Sequence, residues 1–174
     1  NSYSYLSDYT LSKKHTLDWI KLISNSSLCK IVNMKIFHMF GENDSPSKFI
    51  PYLIDTISRE ELYIDMTPGM QTRDFIYVDD VVSAFETVLK NEIKLTNYQE
   101  YEVGSGKSFS IKYLAELIKK ISNSKTELNF GAMTYREGEI MESVCNNEKL
   151  IELGWISKFS LSKALSKIIK NYNK

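Results

Sequence analysis

Hydrophobic residues recur along the chain at two spacings, one typical of helices and one of short strands. Amphipathic helical spacing, with apolar residues three and four positions apart, predicts helices at 9–24, 47–59, 79–91, 110–121 and 160–172. Short apolar runs between turn residues predict strands at 29–39, 61–66, 100–104 and 127–130. The run at 29–39 is rich in apolar residues and short, as expected of a buried parallel strand.

Composition excludes several classes of protein. The 174 residues carry 22 basic and 22 acidic side chains, so a generic nucleic-acid binder is not expected. No apolar run is long enough to cross a bilayer, and no secretory signal is visible at the start. Cys29 and Cys145 are too few for a disulfide framework or a metal cluster. We therefore expect a cytoplasmic protein without a metal, a membrane or a nucleic-acid partner.

The segment 69–82 contains the most informative local pattern. It opens with turn residues, passes through the apolar run 75–78 and reaches Asp79 and Asp80, either of which could cap the following helix. Arg73 precedes the run, where its planar guanidinium could bind a phosphate or a carboxylate. A surface arginine before a capped helix explains the same pattern equally well.

Tyr9 and Lys13 are separated by one helical turn, so their side chains share a face. A nearby ammonium favours the phenolate form of a tyrosine, which could then exchange a proton with a substrate. Because the chain has 11 tyrosines and many lysines, about one such pair is expected by chance. Taken alone, the pair also fits a solvated helix face.

Together these motifs resemble the extended short-chain dehydrogenase/reductase family of nucleotide-sugar epimerases, dehydratases and reductases. The hallmark of that family is similar to Gly69-Met70-Gln71-Thr72-Arg73-Asp74-Phe75-Ile76-Tyr77-Val78-Asp79-Asp80. The resemblance implies that Arg73 binds the diphosphate of a nucleotide sugar. It also implies that Tyr9 is the catalytic acid or base, and that Lys13 assists Tyr9 and binds the nicotinamide ribose.

Other segments extend the resemblance and assign further binding residues. The segment 35–42 is similar to the family's Arg-x-x-Asn-x-Tyr-Gly-Pro, which implies that Phe37 and His38 lie beside the nicotinamide and the substrate phosphates. Lysine, histidine and glutamate replace the arginine, asparagine and proline of that pattern, and a purely structural histidine remains an alternative. Phe49 begins a Phe-Ile-Pro segment that lines the sugar-nucleotide site in the family, although its apolar stripe also fits ordinary core packing.

The end of the chain contains the last two family patterns. The block 136–155 resembles the closing Arg-x-Gly-Asp and Leu-Gly-Trp patterns, so Arg136 is expected to be a second diphosphate ligand. Gly104-Ser105-Gly106 resembles the family's Gly-Ser-Gly, which we interpret as a turn rather than a phosphate-binding loop. Only Arg59, Arg73 and Arg136 are arginines, and two of these three occupy phosphate positions of the family.

The implied fold is α/β: the C-terminal part of a Rossmann-type doubly wound sheet plus a small substrate-binding subdomain. We expect 1–40 to complete the Rossmann-type domain and 41–174 to form most of the sugar-nucleotide part. No Gly-rich dinucleotide loop is present, so the chain is expected to be a C-terminal half whose N-terminal dinucleotide-binding half is absent.

Within the family, the segments 49–55 and 130–147 look most like reductases of the abequose-synthase type. These enzymes reduce a CDP-4-keto-3,6-dideoxy sugar for O-antigen assembly, with NADP or NAD as the cofactor. A nucleotide-diphosphate sugar is the implied substrate, and the full-length protein is expected to be a homodimer. A 4-epimerase, a 4,6-dehydratase and a non-catalytic sugar-nucleotide-binding fragment remain alternatives.

Overall fold

The computed structural model describes residues 8–26 and 29–172. Six helices are present in this part of the chain: α1 (Asp8–Ser24), α2 (Phe49–Ser58), α3 (Val78–Lys90), α4 (Ile111–Ser122), α5 (Glu148–Glu152) and α6 (Leu161–Tyr172). The described strands are β1 (Ile31–Ile36), β2 (His38–Phe40), β3 (Tyr63–Met66), β4 (Thr72–Tyr77), β5 (Tyr98–Val103), β6 (Ser108–Ser110), β7 (Glu127–Phe130) and β8 (Glu142–Ser143).

Strand pairing is mostly parallel, as in an α/β protein. Strand β1 pairs with β5, β2 with β4, and β3 with β7, each in parallel. Strand β4 also pairs antiparallel with β6 and parallel with β8. The predicted fold class, α/β with parallel sheet pairing, is confirmed.

The prediction of one continuous strand over 29–39 is wrong. Strand β1 ends at Ile36, the Phe37 amide still donates to the Val103 carbonyl of β5, and His38 then begins β2 against β4. The chain therefore changes its partner strand at Phe37, from β5 to β4. Sequence periodicity could not reveal this change, because apolar residues are common on both sides of Phe37. As a result, His38 lies at the start of a strand rather than at the end of one.

Strand β4 is packed on both of its faces. Phe75 and Tyr77 belong to a core with α2, α4 and α6, whereas Ile76 belongs to a second core with α3, β5 and α5. Successive side chains of a strand point to opposite faces, so one short strand can contribute to both cores. Each buried large side chain stabilises the fold by roughly 1.5–3 kcal/mol. The strand that carries Arg73 is therefore firmly anchored.

Helix α1 behaves differently from the other long helices. Its predicted bounds agree with the structure, but Ser24 is the only residue of the helix that is buried within the described chain. The apolar residues Trp19, Leu22 and Ile23 are exposed. Helical spacing predicted the helix correctly, yet the core contacts expected for its apolar residues are not made here.

Neither Asp79 nor Asp80 caps helix α3, contrary to prediction. The N-cap residue is Tyr77, which makes no side-chain capping bond, and both aspartates lie in the first turn. Asp80 is buried and accepts hydrogen bonds from the Ser157 hydroxyl and from the amides of Lys158 and Phe159. Its carboxylate therefore fixes the segment before α6, where these amides would otherwise lack a partner.

Candidate functional site

Arg73 is the second residue of β4, with neighbouring strands on both sides. It lies opposite Phe109 of β6 and Ser143 of β8. Its side chain is 12% exposed, and its Nη1 donates to the Thr72 carbonyl oxygen at 2.8 Å. One nitrogen of the guanidinium thus binds the backbone of β4, and the other, Nη2, contacts Glu139.

The next residue, Asp74, organises the loops around Arg73. Its fully buried carboxylate accepts hydrogen bonds from the Ser105 amide and hydroxyl, the Gly106 amide and the Cys145 amide, at 2.7–3.1 Å. A Cβ atom at Gly104 would lie 2.8 Å from Asp74 Oδ2, so only glycine fits there. These amides already bind a carboxylate, which agrees with a turn rather than a phosphate-binding loop.

The two arginines predicted to bind a diphosphate meet at one carboxylate. Glu139 Oε1 lies 2.5 Å from Arg73 Nη2, and Glu139 Oε2 lies 3.2 Å from Arg136 Nε. The Glu139 side chain is 10% exposed, whereas that of Arg136 is 87% exposed. Two positive groups that are distant in the sequence are thus brought to the same carboxylate.

A cavity of about 370 Å³ lies beside this group, and we call it the arginine cavity. Its lining includes His38, Arg73, Arg136, Glu137, Glu139 and Ser143. Three of the residues predicted to bind substrate therefore share one cavity. Two guanidinium groups and an imidazole suit a phosphorylated ligand, because charge-assisted hydrogen bonds to phosphate oxygens are strong.

His38 lies between the arginine cavity and a second cavity. Its ring is 6.0 Å from that of Phe75, centroid to centroid. Loss of surrounding water and the positive charge of Arg73 lower the pKa of His38, against an opposing effect of Asp74. The neutral imidazole, which has one donor and one acceptor, is therefore favoured near pH 7.

The second cavity, of about 430 Å³, is lined mainly by apolar side chains, with Asp44 and Lys48 also present, and we call it the aromatic cavity. Its lining includes Phe37, His38, Phe40, Phe49, Pro51 and Phe75. Phe37 and Phe49, predicted from separate motifs, thus meet here with His38. An aromatic wall that shares His38 with a cavity lined by two guanidinium groups suits a ligand with a flat ring and a charged chain.

Tyr9 and Lys13 line neither of these two cavities. They lie on α1, where Lys13 Nζ is 5.5 Å from the centroid of the Tyr9 ring. Tyr9 is 71% exposed, so its hydroxyl is accessible. The ammonium is close enough to interact with the ring. The structure brings these two side chains close to each other but not into the two cavities, so their proton-donor and ribose-binding roles stay predictions.

Glu139 is the site residue that sequence reasoning missed. The resemblance emphasised the arginine of the Arg-x-Gly-Asp pattern, and the acidic position three residues later received no role. Its spacing from Arg136 is a local signal, but its contact with Arg73 spans 66 positions and follows only from the fold.

In the described ranges, no group of three or more metal-ligating side chains comes together.

The helices show no membrane-spanning character. Among residues 8–26 and 29–172, no helix combines the length and hydrophobicity that crossing a bilayer requires.

The chain is similar in sequence to a known protein family and to curated proteins. Residues 1–104 match the model of the NAD dependent epimerase/dehydratase family. The chain is 40% identical over 169 residues to the CDP-abequose synthase of Salmonella muenchen, covering 96% of this chain and 57% of the relative. The chain therefore spans a little over half the length of the curated relatives it matches.

Solved structures share the fold at lower sequence identity. The UDP-glucose 4-epimerase of Thermotoga maritima, solved with UDP-glucose, has a TM-score of 0.82 at 23% identity, covering 97% of this chain and 54% of that one. The UDP-glucose 4-epimerase of Thermus thermophilus, solved with NAD, has a TM-score of 0.83 at 18% identity, covering 96% and 54%. At these identities the likeness establishes a shared Rossmann-like fold.

Proposed function

The chain belongs to the NAD dependent epimerase/dehydratase family, and we propose that it forms the sugar-nucleotide-binding half of an oxidoreductase. The proposed reaction reduces the C4 ketone of a CDP-linked 3,6-dideoxyhexose, for the assembly of O-antigen in lipopolysaccharide. In this proposal residues 1–40 complete the dinucleotide-binding domain, and 41–174 mostly bind the nucleotide sugar. The 40% identity to a CDP-abequose synthase supports this choice within the family.

The convergence of His38, Arg73 and Arg136 on the arginine cavity carries the proposal. A diphosphate has several charged oxygens, and two guanidinium groups can each bind a pair of them. The adjoining aromatic cavity, with Phe37 and Phe49, supplies an apolar surface for the remainder of a nucleotide sugar or for a nicotinamide ring. His38 can contact ligands in both cavities.

Each site residue has a defined role in the proposed reaction. A nicotinamide cofactor, NADPH or NADH, supplies the hydride that C4 accepts. Tyr9 donates its hydroxyl proton to the ketone oxygen, which becomes the new hydroxyl group. Lys13 stabilises the resulting phenolate and binds the nicotinamide ribose. Arg73 and Arg136 hold the diphosphate, and this orients the sugar.

Substitution of the proton donor in the full-length protein tests the proposal. Tyr9→Phe should abolish NADPH oxidation with the CDP-4-keto sugar while leaving the Kd for CDP unchanged, because the ring remains and only the hydroxyl is lost. Tyr113→Phe, which removes an exposed hydroxyl from α4, is the matched control and should retain activity. Undiminished turnover by the Tyr9→Phe protein would rule out the assigned role.

A nucleotide-sugar 4-epimerase or 4,6-dehydratase is the second candidate, because the family whose model matches residues 1–104 is named for both activities. Epimerases regenerate their bound cofactor, so they consume no nicotinamide over a full turnover. Stoichiometric NADPH oxidation supports the reductase, and product formation without it supports the second candidate. A third result, CDP binding with no turnover of any of these substrates, supports a non-catalytic binding fragment.

A further inference from the structure

The Glu139 carboxylate occupies the point at which the predicted diphosphate ligands meet. One of its oxygens contacts Arg73 and the other contacts Arg136. The Arg73–Glu139 pair is largely shielded from water, since the two side chains are only 12% and 10% exposed. The lining of the arginine cavity therefore already includes an anion that contacts both arginines.

We propose that Glu139 is a specificity-determining residue that takes the place of the substrate diphosphate until the substrate displaces it. This inference rests on the proposed function, because it assumes that Arg73 and Arg136 bind a diphosphate. Binding of the substrate exchanges the contacts between the arginines and Glu139 for contacts between the arginines and phosphate. Glu139 thereby lowers the affinity for every anion and selects the anion with enough charge to replace it.

The charges at the site explain why the exchange favours a diphosphate. Burying an arginine without a counter-ion costs free energy. Glu139 supplies that counter-ion for Arg73 and fixes the orientation of its guanidinium when no ligand is bound. A diphosphate offers more negative charge and more acceptor oxygens than one carboxylate, so it can compensate both arginines. A monophosphate offers less negative charge and fewer acceptor oxygens, so it displaces Glu139 less effectively. Discrimination against the wrong ligand thus comes from the resident carboxylate.

The backbone beside Glu139 lies next to open space. The neighbouring Gly138 has φ +71°, and a Cβ there would meet no heavy atom within 4 Å. Two hydrogen bonds fix the segment on either side: the Met70 amide donates to the Tyr135 hydroxyl at 3.1 Å, and the Thr72 amide donates to the Met141 carbonyl at 2.8 Å. Between these anchors the Glu139 amide donates to the Arg136 carbonyl at 3.1 Å, so displacement of the carboxylate requires rotation of the Glu139 side chain and no rearrangement of β4.

Titration calorimetry of the full-length protein with CDP, inorganic pyrophosphate and CMP tests the inference. Glu139→Gln keeps the shape and removes the charge, so it should bind CDP and pyrophosphate about tenfold more tightly than the natural protein. Its preference for CDP over CMP should fall. Glu152→Gln removes an exposed charge from α5 and lies outside the lining of the arginine cavity, so it is the matched control and should change these constants little.

Two further variants distinguish failure of the inference from failure of the proposed function. Glu139→Asp keeps the charge but is too short to bridge both arginines, so its affinity for CDP should lie between those of the natural protein and Glu139→Gln. Arg73→Gln should weaken CDP binding. If Arg73→Gln weakens binding but Glu139→Gln does not tighten it, the inference is overturned and the proposed function stands. If Arg73→Gln has no effect on CDP binding, both are overturned.

Discussion

Asp74 and Ser105 lie 31 positions apart, yet the Asp74 carboxylate accepts hydrogen bonds from both the amide and the hydroxyl of Ser105, at 2.8 and 2.7 Å. Through the same carboxylate, the turn at 104–106 and the segment at Cys145 are tied to β4. The residue next to the predicted phosphate ligand therefore has a structural role: it ties the turn at 104–106 and the segment at Cys145 to the strand that carries Arg73.

Replacement of this carboxylate should destabilise the protein strongly. Asp74→Ala leaves several buried donors without a partner, so the free energy of unfolding should fall by about 3 kcal/mol or more. Urea denaturation measures the change. Asp65→Ala, which removes an exposed carboxylate from β3 and a single hydrogen bond from Asn129, should cost less than about 1 kcal/mol. Equal losses in the two variants would contradict the structural role of Asp74.

Replacing Arg73 by lysine should weaken the binding of CDP even though the positive charge is kept. Arg73→Lys keeps the positive charge but loses the planar set of donors, so the Kd for CDP should rise by roughly tenfold or more. Arg59→Lys is the matched control, because Arg59 is exposed on the surface near the end of α2 and pairs with Asp55. Calorimetry compares the two variants, and similar affinities for CDP would argue against Arg73 as a diphosphate ligand.

The pairing of β1 with β5 should make stability depend on pH. A hydrogen bond from Lys35 lowers the pKa of Glu100 to about 2, with further hydrogen bonds from Asn33 and Tyr98. Because this pKa lies below the ordinary value of 4.5, the carboxylate stabilises the folded state above about pH 4.5 and loses that effect as the pH falls toward 2.

Comparison with a neutral variant isolates this effect. At pH 7, Glu100→Gln should reduce the free energy of unfolding by about 2 kcal/mol, allowing for partial screening by solvent. The difference from the natural protein should shrink as the pH is lowered from about 5 to about 2. Glu152→Gln, on the exposed surface of α5, should track the natural protein throughout. A constant gap for Glu100→Gln over this range would refute the assignment.

The two cysteines of the chain should react at very different rates. Burial raises the pKa of the Cys145 thiol to about 12, and the nearby charges of Asp74 and Glu102 add to the effect. Cys29 is exposed. At pH 8 a disulfide reagent such as DTNB should therefore modify Cys29 rapidly and Cys145 only after unfolding. Cys29→Ser should remove the fast phase, and a fast phase that persisted would show that Cys145 is accessible.

Local patterns in the sequence predicted most of the elements because helices and strands impose a period on neighbouring residues. The helix predicted at 79–91 and the strand predicted at 127–130 agree with α3 and β7 to within one residue at each end. Short β6 and β8 were not predicted, since strands of two or three residues show no usable periodicity. They are strands because β4 provides hydrogen-bonding partners for them.

The sequence by itself determined the α/β class and the family, because motif order and residue type do not depend on the fold. It also predicted Arg73, Arg136 and His38 as candidate binding residues, and the structure brings these three to one cavity. Only the tertiary structure decided which side chains contact these residues and fix the segments around them. The contacts of Glu139 with Arg73, of Asp74 with Ser105 and of Asp80 with Phe159 each join residues more than 30 positions apart. Contacts at such separations are set by the packing of whole elements, so no local spacing in the sequence encodes them.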